Sequence, residues 1–266
     1  MDLDIAGRSV YAYTGGKPFD RARPCIVFIH GALHDHSVWN LLARWFANHG
    51  HAVLAIDQPG HGRSPGPPLA SVEALADATL ALLDAAGVAQ AALVGHSMGS
   101  LIALEAAARA PERITRLVLL GAAVPMKVAA ALLATAAENP LRAIDQVNAF
   151  SHSGFAAKPA YPGPGNWLHG GNRALMRKNQ AACEGVNLFA HDFALCDRYA
   201  GGLDAAASVR CPSHLVLGSF DQMVPPAASR ALATALKAKT VELPCGHALM
   251  QEAPDATLQA LRDALG

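Results

Sequence analysis

Short, mainly apolar runs alternate along this chain with longer stretches in which apolar residues recur every three or four positions. Cys25–Ile29, His51–Ile56, Ala91–Val94, Ile114–Leu120, His214–Leu217 and Thr240–Leu243 are runs of the first kind, after a β-branched start around residues 8–13. Such runs lack the polar alternation of a half-exposed strand, so they predict strands buried on both faces, as in a parallel sheet. Helical spacing covers 37–49 with Ser37 as N-cap, then a stretch opened by Ser71 and closed at Gly87, then 99–109, 227–238 and 255–265. The alternation predicts an α/β fold with a mostly parallel central sheet and helices on both faces.

One segment breaks this rhythm. Between about Pro125 and Ser208 there are helix-like stretches and a Pro/Gly-rich loop (158–171) but no clear strand. Structureless insertions of that length are rare in compact domains. The segment is therefore expected to be a small helical cap, residues 125–208, inserted into a core made of 1–124 and 209–266. It would sit over the carboxyl edge of the sheet, where open α/β sheets bind ligands.

Composition narrows the partners. At 266 residues, 52% hydrophobic and 16% charged, the chain has material for one large core. Its formal net charge is zero, which argues against a partner held by bulk electrostatics, whether nucleic acid or an anionic membrane. The five cysteines form no C-x-x-C and suit neither a zinc site nor a disulfide framework, so they are expected to be buried, reduced thiols. The N-terminus lacks a signal-peptide pattern and no apolar run approaches the ~18 residues of a membrane span, so a cytoplasmic protein is expected. Neither G-x-G-x-x-G after the first strand nor a Walker pattern occurs, so no cofactor is expected.

The chemistry is carried by three short segments. Gly95-His96-Ser97-Met98-Gly99 lies between an apolar run and a helix, which places Ser97 on a strand-to-helix turn. A strained turn of this kind needs small neighbours, and Gly95 and Gly99 supply them. It also aims the hydroxyl outward at a helix N-terminus, where backbone N–H groups favour negative charge. A serine hydroxyl needs a base before it is a useful nucleophile. Gly218-Ser219-Phe220-Asp221 puts a carboxylate just past one strand, and Pro244-Cys245-Gly246-His247 an imidazole just past the next. Ser97, Asp221 and His247 thus fall at one edge of one sheet, in the chain order Ser, Asp, His.

With His30-Gly31, Asp57-Gln58-Pro59-Gly60-His61-Gly62-Arg63-Ser64 and Glu252-Ala253-Pro254 added, the sequence resembles the α/β-hydrolase superfamily, specifically its esterase-like branch with a helical cap. The resemblance implies that Ser97 is the nucleophile, His247 the general base and Asp221 the orienting acid. It implies an oxyanion hole from the backbone N–H groups of Ala32 and Met98. Serine at position 97 disfavours the dehalogenase and epoxide hydrolase branches, which place aspartate there. The leading expectation is hydrolysis of a small carboxylic ester. The alternatives are a lactonase or carbon–carbon (β-diketone) hydrolase, for which Arg142, Arg173, Arg177 and Lys178 would bind a dianion, and a non-catalytic small-molecule-binding protein.

The remaining candidates are assigned to support. His30, His96 and His61 are expected to hold loops, and Asp57 to pack beside the site. His34-Asp35-His36 matches no zinc spacing and no carboxylate cluster completes it, so no metal is expected and the segment reads as a solvated loop. Asp192 and Asp197 read as cap surface. Met126, Trp167, Phe189 and Phe193 are candidates for a substrate pocket beneath the cap.

Overall fold

The computed structural model describes residues 1–266. The chain runs β1 (Asp2–Ile5), β2 (Arg8–Tyr13), β3 (Cys25–Ile29), α1 (Asn40–Asn48), β4 (Ala52–Ile56), α2 (Val72–Ala85), β5 (Ala91–His96), α3 (Met98–Arg109) and β6 (Ile114–Leu120). Five helices follow without a strand: α4 (Ala130–Glu138), α5 (Pro140–Phe150), α6 (Leu168–Ala182), α7 (Leu188–Arg198) and α8 (Gly202–Ser208). The sheet resumes with β7 (Ser213–Gly218), α9 (Arg230–Leu236) and β8 (Lys239–Leu243), and the chain closes with α10 (Leu249–Glu252) and α11 (Pro254–Leu265). No helix is long and apolar enough to cross a membrane.

The eight strands form one sheet in the order β1-β2-β4-β3-β5-β6-β7-β8, parallel from β4 to β8 and antiparallel at β1 and β2. The central strands divide their side chains between two apolar layers with a period of two. Val27, Ile29, Leu54, Leu93, Leu119 and Leu215 face one layer, with α2 and α3. Phe28, Ala55, Val94, Val118, Leu120 and Val216 face the other, with α1 and α11. Burial on both faces is the reason these strands read as apolar runs, broken only near the start of β6 and β7. β8 differs: it is an edge strand, exposed from Lys239 to Glu242, and its Lys239 is a charge of the kind that blunts an edge.

The amino-terminal hairpin was not expected. β1 alternates exposed and buried residues, and joins β2 through Ala6-Gly7, both at positive φ (52° and 79°) as a tight hairpin turn requires. The stretch 37–49 divides into a single 3₁₀ turn, His36–Trp39, and α1; Asp35 rather than Ser37 caps the turn, accepting from the Ser37 N–H.

The helices of the insertion divide their packing. Leu195, Cys196, Ala205 and Ala206, from α7 and α8, join the apolar layer over α3. Ala136, Ala143, Ile144, Val147, Met176, Phe189 and Phe193, from α4 to α7, form a smaller cluster of their own. A single fully buried core residue, Leu33 from the loop after β3, inserts into that cluster.

The tightest contact in the sheet lies between β5, α3 and β3. A Cβ on Gly95 would collide with the Gly99 carbonyl, and one on Gly99 with the carbonyls of Ile29 and His30. Gly99→Ala is therefore expected to destabilise the protein by about 1–3 kcal/mol through forced backbone displacement, read as a lower urea midpoint. A change under half a kilocalorie would contradict this packing.

Candidate active site

Ser97 is the single residue between β5 and α3, and its backbone has φ 52° and ψ −120°. A non-glycine residue in such a region costs of order 1–3 kcal/mol and persists only where its surroundings enforce it. Here they do. The Ser97 N–H donates to the Leu120 carbonyl (2.9 Å) and its carbonyl accepts from the Ser100 N–H (2.8 Å). A Cβ on Gly31 would lie 3.1 Å from the Ser97 Cβ, so the loop after β3 also abuts the turn.

The loops after β7 and β8 continue the strand ladder past the sheet. Ser219 N–H donates to Leu243 O (2.8 Å) and Phe220 N–H to Cys245 O (3.0 Å), which sets Asp221 beside His247. His247 Nδ1–H donates to Asp221 Oδ2 at 2.7 Å, and both side chains are nearly inaccessible to solvent. That bond fixes the tautomer and leaves Nε2 free to accept a proton. The other carboxylate oxygen, Oδ1, accepts the N–H groups of Met223 and Val224, both at 2.8 Å. Gly121, at the end of β6 with φ 56°, makes room for the pair: a Cβ there would lie 2.9 Å from His247 Cε1.

Ser97 and His247 open onto one cavity of about 470 Å³ between the sheet edge and the insertion. Met126 and Phe193, expected in a pocket, line it, with Val128, Leu132 and Met223. The other two expected pocket residues lie elsewhere. Phe189 is fully buried behind Phe193, stacked on it at 4.3 Å, and Trp167 is 66% exposed beside Arg173. Aromatic spacing on a helix does not reveal which face meets the cavity. Ala32 also lines the cavity, and its N–H donates to no acceptor in the protein. Met98 is the first residue of α3, where an N–H has no intrahelical acceptor.

Several polar residues that support the site were not legible. Asp192 is fully buried rather than on the surface. Its Oδ2 accepts His61 Nε2–H (2.8 Å) and Leu33 N–H (2.9 Å). Asn179 donates to Leu33 O (2.9 Å) and accepts Gly62 N–H (3.1 Å). Burial alone would lower the His61 pKa, but the Asp192 carboxylate raises it on balance and is itself held below the usual carboxylate range. Glu252, buried behind the His247 loop, accepts the N–H groups of Gly246 (3.0 Å) and Ser153 (3.0 Å) and the Ser153 hydroxyl. Their common signal is a polar residue at a position whose helical neighbours are apolar.

The segment 34–36 also departs from a solvated loop: His34 and Asp35 are buried, and Asp57 closes on them. Asp57 Oδ1 accepts the His36 N–H (2.6 Å) and Nδ1–H (2.8 Å), and Oδ2 accepts Arg63 N–H (2.8 Å). Asp35 Oδ1 accepts from Ser37 and Oδ2 pairs with Lys178 at 3.2 Å. Every carboxylate oxygen already takes a donor, which makes the cluster a clasp between loops.

Burial lowers the pKa values of His30 and His34 to about 4 and that of His96 well below its usual value. Neutral His30 accepts Gln58 N–H on Nε2 (3.0 Å), and neutral His96 donates Nε2–H to His247 O (2.8 Å). The unfolded chain titrates these groups near 6.5, so it binds protons that the native chain refuses as pH falls toward 4. Each histidine should then remove ~1.4 kcal/mol of stability per pH unit within that window. Urea unfolding from pH 6.5 to 5 should show this loss; stability flat with pH would contradict neutral burial.

Comparison with known proteins agrees with this architecture. The chain is 39% identical over 100 residues to the sn-1-specific diacylglycerol lipase ABHD11 of Mus musculus, an alignment covering 37% of this chain and 33% of that protein. It is 28% identical over 255 residues to RutD of Klebsiella pneumoniae, a protein named for carbamate hydrolysis, covering 91% of each. The enol-lactonase from Burkholderia xenovorans LB400 superposes with TM-score 0.80 at 23% identity, over 100% of this chain and 99% of that one. That likeness shows the fold. A family model described as the alpha/beta hydrolase family matches residues 26–260, and with its sheet order and strand-end loops the chain belongs to that family.

Proposed function

We propose that this protein is a serine hydrolase that cleaves a small carboxylic ester through an acyl-enzyme on Ser97. The observation that carries the reading is the buried Asp221–His247 hydrogen bond of 2.7 Å opening onto the same cavity as a serine held at positive φ. In this mechanism His247 Nε2 takes the Ser97 proton as Oγ attacks the substrate carbonyl, and Asp221 stabilises the imidazolium that forms. The alkoxide is met by the N–H groups of Ala32 and Met98, and His247 passes its proton to the leaving alcohol. Water activated by the same histidine then releases the acid. The α4–α7 helices act as the cap and exclude bulk water from the cavity, where a charge-stabilising donor is most effective.

The lining supports an ester with an apolar acyl group. Its volume lies within the ~300–1,000 Å³ usual for small-molecule sites, and about half its lining residues are hydrophobic. A dianionic diketone would need cations, yet Arg142, Arg173, Arg177 and Lys178 all lie outside the cavity lining. Arg177 is paired with Asp145 at 2.9 Å and Lys178 with Asp35 at 3.2 Å. Lys127 is the one cation in the lining, and it donates to the Asp197 carbonyl at 2.7 Å.

Wild-type protein is expected to hydrolyse p-nitrophenyl esters and to take one fluorophosphonate label, on Ser97. Ser97→Ala should abolish labelling and lower turnover by about 10⁶, and Asp221→Asn should lower it by about 10⁴. A folded wild type with neither turnover nor label would replace this reading with that of a binding protein.

A further inference from the structure

The loop that carries Ala32 is held from outside the sheet. Its next residue, Leu33, has φ 56°, a left-handed conformation that leucine rarely adopts, and is fully buried. The side chain of Leu33 sits in the apolar cluster of α4 to α7, among Ala136, Ile144, Met176, Phe189 and Phe193. Its N–H donates to Asp192 Oδ2 on α7 (2.9 Å), and its carbonyl accepts from Asn179 Nδ2 on α6 (2.9 Å). Every part of Leu33 is therefore fixed by the insertion. The same two side chains hold the neighbouring loop after β4, Asp192 through His61 (2.8 Å) and Asn179 through Gly62 N–H (3.1 Å). His30 joins the two loops from below by accepting Gln58 N–H on Nε2 (3.0 Å).

We propose that Asp192 and Asn179 are positioning residues that orient the Ala32 N–H, so that docking of the cap assembles half of the oxyanion hole. The inference rests on the serine-hydrolase reading above. Leu33 shares a peptide plane with Ala32, and a rotation of that plane swings the backbone of the loop. Without its two partners only apolar packing and the long turn bond from His34 N–H to Gly31 O (3.3 Å) would hold Leu33 at positive φ. Ala32 N–H would then drift from the position at which it meets the developing alkoxide. A displacement of about 1 Å costs up to ~10² in rate, and outright loss of a donor ~10²–10³. Neither side chain lines the cavity, so substrate binding in the ground state should be largely unaffected.

Chemistry distinguishes the possible replacements at 192. Leu33 N–H and His61 Nε2–H share Asp192 Oδ2, so an asparagine with its oxygen at that position keeps both bonds to a neutral, Nε2-protonated His61 and turns its amide toward His191. Alanine keeps neither. Asp192→Ala should lower kcat for a p-nitrophenyl ester about 10- to 100-fold with KM within twofold, and weaken a trifluoromethyl ketone inhibitor by a similar factor. Asp192→Asn should retain kcat within about threefold, and Asp145→Asn, which removes only an exposed ion pair of the insertion, should match wild type. If Asp192→Ala does not fold, Asn179→Ala must show the same selective loss in kcat and inhibitor affinity. A folded Asp192→Ala protein with wild-type kcat, or with its loss confined to KM, overturns the proposal while Ser97 labelling of the wild type leaves the serine-hydrolase reading standing. Absence of that labelling overturns both.

Discussion

The arrangement depends on how closely α3 approaches the sheet beneath Ser97. With glycine at 95 and 99, the helix begins one residue after the strand ends, and the serine is forced to φ 52°. That conformation is unfavourable in isolation, so it exists because two apolar layers and the β5–β6 ladder over-determine the turn. The return is geometric. Ser97 is placed at the N-terminus of a helix whose first N–H groups have no other acceptor, at the level of the loops after β3, β7 and β8. A looser crossing would let the serine relax into an ordinary turn and lose that placement.

The support for the site is divided between sheet and insertion. Strand-end loops carry Ser97, Asp221 and His247, and ladder bonds from β7 to β8 bring the last two together. The insertion reaches back at several points, Asn172 to His34 and Lys178 to Asp35 among them, and at two others it holds loops of the site. Asp192 and Asn179 take hold of Leu33, and the 151–153 segment binds the His247 loop through Glu252 and through Ala248 N–H to Ser151 O (3.1 Å). Both fasteners are buried and hydrogen-bonded, so each is worth most when complete and is costly when half broken. A cap joined in this way is part of the catalytic geometry in our account, in addition to shaping the cavity.

Ser97 and Asp221 were legible because each follows a buried apolar run, and His247 because it follows the short edge strand next in the sheet; strand ends of a parallel sheet converge in space. The both-face burial that makes Val27, Phe28, Leu93 and Val94 a layered core also makes their runs conspicuous. The supporting residues were harder. Asp192 lies 131 positions from His61, and although its helical neighbours Leu188, Phe189, Leu195 and Cys196 are apolar, nothing local names the partner a buried carboxylate there would take. β1 escaped notice because four residues with two aspartates carry little signal until the Ala6-Gly7 turn is recognised. Trp167 and Phe189 show the limit for pockets: residue type suggests an apolar contact, and only the packing of α4 to α7 decides between cavity, core and surface.

The most direct test of the account is to catch the covalent intermediate. Wild-type protein mixed with excess p-nitrophenyl butyrate should release a burst of close to one nitrophenol per chain before steady turnover. Acid quenching within the burst should leave a butyryl adduct, assigned by peptide mass spectrometry to Ser97. The same reaction is run with hydroxylamine as a competing nucleophile, which reports the acyl-enzyme even where acylation is the slower step. Butyryl hydroxamate formed in a constant ratio from several butyrate esters would mark a shared acyl-enzyme; a ratio that varies with the leaving alcohol, with no adduct, would contradict the account.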